Sequence, residues 1–159
     1  MIARCPAADV PRIYEVINEA AQAYRGVIPA DQWHEPYMPM DQLEAELAAA
    51  VEFWGYQENQ ELVGVMGLQQ VEDVSLIRHA YTLTRSQGKG VGSALLEHLK
   101  RRTDRALLVG TWKDASWAVR FYEGRGFRLL ADEEKRRLLK KYWTVSERQA
   151  EVSVVLVLG

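Results

Sequence analysis

Gln87-Gly88-Lys89-Gly90-Val91-Gly92-Ser93 is the stretch that decides the reading of this chain. It follows a β-rich run, Val74 to Leu83, and precedes a segment whose Val91, Leu95 and Leu99 fall on one helical face. At such a strand-to-helix junction the first amides of the helix lack partners and the helix dipole is positive. Three glycines within five positions let the backbone approach an anion closely and adopt turns closed to other residues. A pyrophosphate suits that nest. Two familiar nucleotide loops do not fit, however. The Gly-Lys-Ser/Thr ending of a Walker loop is absent. A Rossmann fingerprint started at Gly88 meets Ser93 in its third glycine place, and one started at Gly90 meets Leu95.

Working outward, Ile2 to Arg4 can open as a strand. Asp9 is an expected N-cap, with Pro11 close behind and Ile13, Val16, Ile17, Ala20 and Ala21 at helical spacing. Tyr24 to Met40 reads as a long loop broken by Pro29, Pro36 and Pro39, dense in aromatic and ionisable groups. Asp41 is the expected cap of a second helix through Leu43, Leu47 and Val51, with Glu44 completing a partial capping box. Phe53–Gln57 and Glu61–Gln69 form a hairpin around Glu58-Asn59-Gln60, and Val74–Leu83 a third strand. Ala106–Thr111 is a short strand, and the helix containing Trp117 and Phe121 stops at Gly124 and Gly126. Phe127–Leu130 reads as strand, Glu133–Tyr142 as helix and Glu151–Leu158 as a β-branched last strand. The order implies an α+β fold, a sheet sandwiched by helices, in one domain spanning 1–159.

Composition narrows the function. The 159 residues, 48% hydrophobic and 26% charged, suffice for a core without disulfides or metal. A net charge of −2 leaves no bulk footprint for nucleic acid or an anionic membrane. The basic run Lys135 to Lys141 follows Asp132, Glu133 and Glu134, the order a helix dipole favours, and reads as a solvated helix. Cys5 is alone, and His34, His79 and His98 have no ligand spacing, so no metal is expected. The first residues lack a signal-peptide core and no stretch approaches a membrane span, so the expected location is cytoplasmic.

Downstream of the glycine loop lies Ala118-Val119-Arg120-Phe121-Tyr122-Glu123-Gly124-Arg125-Gly126-Phe127. This resembles the Ala-x-x-Phe-Tyr-x-x-x-Gly-Phe motif of the GNAT superfamily of acetyl-CoA-dependent N-acetyltransferases. Gln87, Gly90 and Gly92 match that family's Gln/Arg-x-x-Gly-x-Gly/Ala loop. The resemblance covers roughly residues 2 to 130. It implies a mixed, mostly antiparallel central sheet flanked by helices, and acetyl-CoA as co-substrate. It further implies pyrophosphate binding by Gln87, Gly88, Lys89, Gly90, Val91, Gly92 and Ser93, and pairing of the pantetheine arm with the backbone of Ala80, Tyr81 and Thr82. Tyr122 matches the tyrosine that protonates the departing CoA thiolate after a primary amine, of a small molecule or a peptide, attacks the thioester. Loss of turnover would leave the alternative, a module that binds or senses acyl-CoA without catalysis.

Two family positions differ here. Ala115 stands where many relatives carry a cofactor-contacting Asn, and Val109-Gly110 where some carry a Glu base. The base is therefore open among His79, Glu35, His34, Asp73 beside Glu72, and a water chain. Strict strand alternation would keep Arg78 and His79 from facing the substrate together. Trp33, Glu35, Tyr37 and Trp54 would suit a cationic amine or fill a core. Tyr142-Trp143 and Arg148 to Glu151 could line the site or an interface, and the last strand is apolar enough to be central or to pair across a homodimer.

Overall fold

The computed structural model describes all residues, Met1 to Gly159. Seven strands form one sheet in the order β1-β2-β3-β4-β5-β7-β6: β1 Ile2–Arg4, β2 Glu52–Glu58, β3 Glu61–Val71, β4 Val74–Thr82, β5 Ala106–Trp112, β6 Arg128–Leu129 and β7 Ser153–Leu158. Every pairing is antiparallel except β4 with β5, which is joined through helix α3, Val91–Lys100. A parallel pair needs such a crossover, whereas the antiparallel neighbours need only turns. Asn59 and Gln60, at φ 53° and 67°, close the β2–β3 hairpin with the left-handed pair of residues such a tight turn requires. The last strand takes the central option: β7 lies between β5 and β6, with both edges paired inside the chain.

Helices α1, Val10–Ala20, and α2, Met40–Ala48, cover one face, while α3 and α4, Ser116–Glu123, cover the other. Strand alternation divides the core accordingly. Phe53, Val63 and Val65 join Ile13, Ile17 and Leu43, whereas Trp54, Met66 and Leu68 join Leu95, Leu99 and Tyr122. The apolar spacing of α1 and α3 is thus explained, each fully buried Leu or Ile contributing about 1.5–3 kcal/mol. α5, Asp132–Tyr142, and the short α6, Glu147–Glu151, pack Leu139 and Ala150 against Leu130 and Val155. No helix is long and apolar enough to cross a membrane.

Several local expectations change. Pro39, not Asp41, occupies the N-cap of α2, and Asp41 instead accepts from the amide of Gln42. Asp9 sits at the N-cap of α1 as expected, but at the end of a 3-10 turn and without a side-chain hydrogen bond to the helix. Phe127 and Leu130 turn inward, leaving only Arg128 and Leu129 as strand. α5 is solvated on one face only: Lys135 is buried, its ammonium 2.9 Å from Asp132. Glu151, read as the start of the last strand, instead ends the helix Glu147–Glu151, which Ser146 caps by accepting from the Gln149 amide.

The irregularity that matters most lies in β4. Val65 opposes Tyr81 and Gly67 opposes Arg78, so His79 and Ala80 together face Met66 alone. This is a β-bulge, and His79 adopts φ 55°, a left-handed conformation uncommon for a non-glycine residue. Gly67 makes room for it. A Cβ there would stand 2.7 Å from the Arg78 carbonyl oxygen and 2.8 Å from Val51. Gly67→Ala should therefore destabilise the protein by about 1–3 kcal/mol through overpacking. Chemical denaturation of the two proteins checks this, and equal midpoints would show that the bulge needs no such clearance.

Candidate active site

β4 and β5 pair only along Val74–Ile77 and Ala106–Val109. Beyond that point β4 stays with β3 and β5 with β7, so the two strands part. The backbone of Arg78 to Thr82 on the side away from β3 has no strand partner, and a cavity of 1080 Å³ runs through the opening. Ala80, Tyr81 and Thr82 line it from β4, and Val109 to Trp112 from β5.

One end of the cavity is the glycine loop. Gly88 and Gly90 have φ of 77° and 82°, and Gly90 is the N-cap of α3. Gln87 donates from Nε2 to the Thr82 carbonyl at 3.1 Å, which ties the loop to the end of β4. The amides of Gly88 to Ser93 make no backbone hydrogen bond, and the cavity is lined by every residue from Gln87 to Ser93 except Lys89. The Lys89 ammonium turns instead toward Glu58, at 3.9 Å. Unpaired amides at the start of a ten-residue helix form an anion cradle, and open space at both left-handed glycines leaves room for one. Arg125, not singled out from sequence, also faces this end. Its Nε donates to Ser93 Oγ at 3.2 Å and its guanidinium lies 4.0 Å above the Phe121 ring. Its place one helical turn beyond Phe121 was the available signal.

Tyr122 stands between the two ends, only 5% exposed, its ring edge-on to Phe121 and Phe127. Its hydroxyl forms no hydrogen bond within the protein, although the residue lines the cavity. Burial, with a contribution from Tyr24, pushes its pKa far above the usual phenol range, so the O–H stays protonated through neutral pH. Ala115 is fully buried and lies off the cavity wall, so it offers no side-chain contact there.

The other end is aromatic. Tyr81 has ring contacts to Tyr24 and Tyr37 at 6.1 and 6.2 Å, Tyr24 packs on Trp117 at 5.2 Å, and Trp112 Nε1 donates to the Tyr37 hydroxyl at 3.2 Å. Burial pushes the Tyr24 phenol up to about 12. Of these, only Tyr37 and Tyr81 had been marked from sequence; Trp33 and Trp54 lie off the cavity wall. Arg148 of α6 closes this end by gripping Asp31 of the 24–39 loop, with Nε to Oδ2 at 2.9 Å and Nη2 to Oδ1 at 3.2 Å.

The candidate bases scatter. Glu35 is exposed, near Gln22 and Arg25, and lies off the cavity wall. Asp73 and Glu72 form the β3–β4 turn, where Asp73 accepts from the Tyr142 hydroxyl at 2.6 Å. His34 lines the cavity with Nδ1 2.9 Å from the Pro36 carbonyl. His79 lines it too, buried beneath α2. The alternation expected of Arg78 and His79 fails at the bulge: both reach Glu46 Oε1, at 3.2 and 3.4 Å. Glu46 had not been singled out, since nothing in the sequence pairs an α2 glutamate with β4. No three His, Cys, Asp or Glu side chains converge as a metal set.

A profile of the acetyltransferase (GNAT) domain matches residues 17–140, and the chain belongs to that family. No curated protein matches it in sequence. Its fold is shared by a GNAT acetyltransferase from Staphylococcus aureus (TM-score 0.73, 18% identity, 99% of this chain and 96% of that one). It is shared equally by the PaiA N-acetyltransferase of Thermoplasma acidophilum in complex with coenzyme A (TM-score 0.72, 17% identity, 99% and 96%). A third is the ribosomal-protein-S18-alanine N-acetyltransferase of Escherichia coli (TM-score 0.69, 16% identity, 99% and 92%).

The Asp31–Arg148 fork has a measurable signature. Hydrogen bonds from Arg148, then Gln32, lower the Asp31 carboxyl to about 2. A carboxylate depressed in the folded state supports folding above its unfolded pKa and loses that support as pH falls through its folded one. In Arg148→Met, Asp31 should titrate at higher pH, moving toward the ordinary ~3.9 but held below it by Gln32, and amides of residues 24–39 should exchange faster. Carboxylate NMR and hydrogen exchange check both; an unmoved titration would show that the fork does not hold the loop.

Proposed function

We propose that the chain, acting as one domain, transfers the acetyl group of acetyl-CoA to a primary amine of a small molecule or peptide by direct attack. Membership of the acetyltransferase family supplies the reaction class. The observation that carries the finer reading is Tyr122: a protonated hydroxyl with no hydrogen-bond partner in the protein, on a buried ring that lines the cavity. A module that only senses acyl-CoA has no use for an unpaired proton donor in the cavity wall.

In this reading the amides of Gly88 to Ser93 hold the pyrophosphate, with Lys89 contributing backbone alone, and Arg125 adds positive charge beside Ser93. The backbone at Ala80, Tyr81 and Thr82, which has no strand partner on the side away from β3, holds the pantetheine arm as a strand would be held. That places a thioester, whose carbonyl carbon is the electrophile, in the opening beside Tyr122. Tyr122 gives its proton to the leaving sulfur. The amine approaches from the aromatic end, where Tyr24, Tyr37, Tyr81 and Trp117 exclude water and can face the alkyl part or the charge of an amine. The structural neighbours include one named for acetylating an alanine of ribosomal protein S18, which supports a peptide acceptor.

Gly92→Asp tests the cradle. Its Cβ has ordinary clearance, 3.5 Å from Phe121, so the fold should survive while a carboxylate sits among the amides. Acetyl-CoA affinity should fall at least tenfold by calorimetry, and unchanged affinity would remove the loop from the binding site. Tyr122→Phe tests the chemistry. It keeps the packing and should lower kcat roughly 10²-fold without altering acetyl-CoA affinity, because a thiolate (thiol pKa ~8.5) is a tolerable leaving group unaided. Equal kcat across the pH range would leave Tyr122 a packing residue.

A further inference from the structure

Four observations converge on the polar corner beneath α2. At the bulge His79 takes a left-handed conformation, and it lines the cavity. Such a conformation persists only where its surroundings over-determine it, and it clusters at functional sites. The imidazole is held on three sides: Phe53 of β2 stacks on it at 6.1 Å, Glu46 of α2 stands 3.4 Å from Nε2, and Arg78 of β4 flanks it. Arg78 in turn is fixed, donating to Glu46 at 3.2 Å and to Gln69 of β3 at 2.9 Å. Finally, the two ring nitrogens differ. Nε2 is fully buried against Glu46, too poorly aligned for a good hydrogen bond, while Nδ1 has no protein partner and remains accessible.

We propose that His79 is the general base, its Nδ1 accepting the proton of the acceptor amine, with Glu46 a positioning residue that holds Nε2 and Arg78 the clamp on Glu46. This deepens, and rests on, the amine-acetylation reading above. The step balances as follows. The lone pair of the neutral amine forms the C–N bond to the acetyl carbon, and the C–S bond breaks with its electron pair on sulfur. The proton leaving nitrogen goes to His79, the proton reaching sulfur comes from Tyr122, and solvent restores both residues. A base in this role must be neutral before the reaction. Burial, then Arg78, lowers the pKa of His79, while the Glu46 carboxylate 3.4 Å away pulls it back up. For Glu46, burial raises the pKa while His79 and Arg78 lower it, the balance falling on the low side; when His79 is neutral, the Arg78 guanidinium donating at 3.2 Å is the charge that faces the carboxylate. Those are the charged groups acting on the ring; β2 brings only Phe53 and β3 acts only through Gln69 on Arg78. His34, the other histidine of the cavity, has its Nδ1 engaged with Pro36 and no carboxylate behind it.

The sign of each effect follows. A neutral base gives kcat an acidic limb at the pKa of His79. Removing the charge of Glu46 removes what raises that pKa, so the limb moves to lower pH. The experiment measures kcat against pH with acetyl-CoA and the fastest acceptor from a panel of primary amines, for the wild type, His79→Asn and Glu46→Gln, with acetyl-CoA affinity measured in parallel. Asn is chosen because it tolerates positive φ. His79→Asn should lose about 10²-fold or more in kcat and lose the acidic limb, whereas Glu46→Gln should keep a limb displaced downward. Acetyl-CoA affinity should hold in both. A wild-type limb in His79→Asn, or a limb that stays put or rises in Glu46→Gln, overturns the assignment of the base alone. If His79→Asn does not fold, the direction of the Glu46→Gln shift decides. A wild type that binds acetyl-CoA but acetylates no amine overturns this inference together with the reading beneath it.

Discussion

β4 can pair with β5 for only four residues, and the candidate site is a consequence of that limit. A parallel pair continues only while both strands keep a common twist and register. Here β5 is committed to β7 along its whole length, from Leu107 opposite Leu158 to Trp112 opposite Ser153. β4 is committed to β3 on its other side, through a bulge that increases its local twist. Neither can turn to follow the other. The sheet therefore splits at Ile77 and Val109, and a run of strand backbone is left facing space inside the protein. Unsatisfied peptide groups in such a place are costly unless water or a ligand meets them. The split thus favours an extended ligand that can supply strand-like hydrogen bonds.

Much of this was legible in the residues. The face formed by Val91, Leu95 and Leu99 identified α3, and the glycines before it marked a strand-to-helix loop with unpaired amides, because both signals are local and need no knowledge of what packs on them. The bulge was not legible. A bulge is commonly marked by glycine, but here the left-handed position is His79 and the permissive glycine, Gly67, sits across on the partner strand. Alternation applied to Arg78 and His79 consequently gave the wrong facing, and the convergence of both on Glu46 depends on α2 crossing above them, a tertiary fact. α6 escaped for another reason: five residues are too few for a helical period to show, and only Ser146, three positions before Gln149, hints at a cap. For Glu35 and Asp73 the residue type suited a base, and sequence left the choice open; the structure puts Glu35 exposed beside Arg25 and Asp73 in the β3–β4 turn.

The two ends of the cavity are held by different kinds of structure. The cradle end belongs to the sheet and α3, whose core residues are fully buried. The aromatic end depends on a loop, on α2 and on segments close to β7, joined across the surface by the Asp31–Arg148 fork and by the Trp112–Tyr37 hydrogen bond. Stability is rarely uniform across such an arrangement, and segments with exposed polar ties open first. A rigid site for the invariant co-substrate beside a more compliant one for the acceptor accords with the proposed chemistry.

The position of β7 has a bearing on how the protein is made. β6 hydrogen-bonds to nothing but β7, and β5 has β7 as its second neighbour. On the ribosome, β5 therefore emerges with one edge bare, carrying Leu107, Leu108 and Val109, and stays so until the chain has grown from Trp112 to Ser153. At roughly 5–20 residues per second that interval lasts roughly 2–8 seconds. Throughout it the nascent chain presents an apolar strand edge of the kind on which other chains nucleate. Chaperone dependence should consequently be concentrated in that window of translation, and substitutions that delay or weaken β7 should appear first as poor yield in the cell, before any loss of activity in the molecules that do fold.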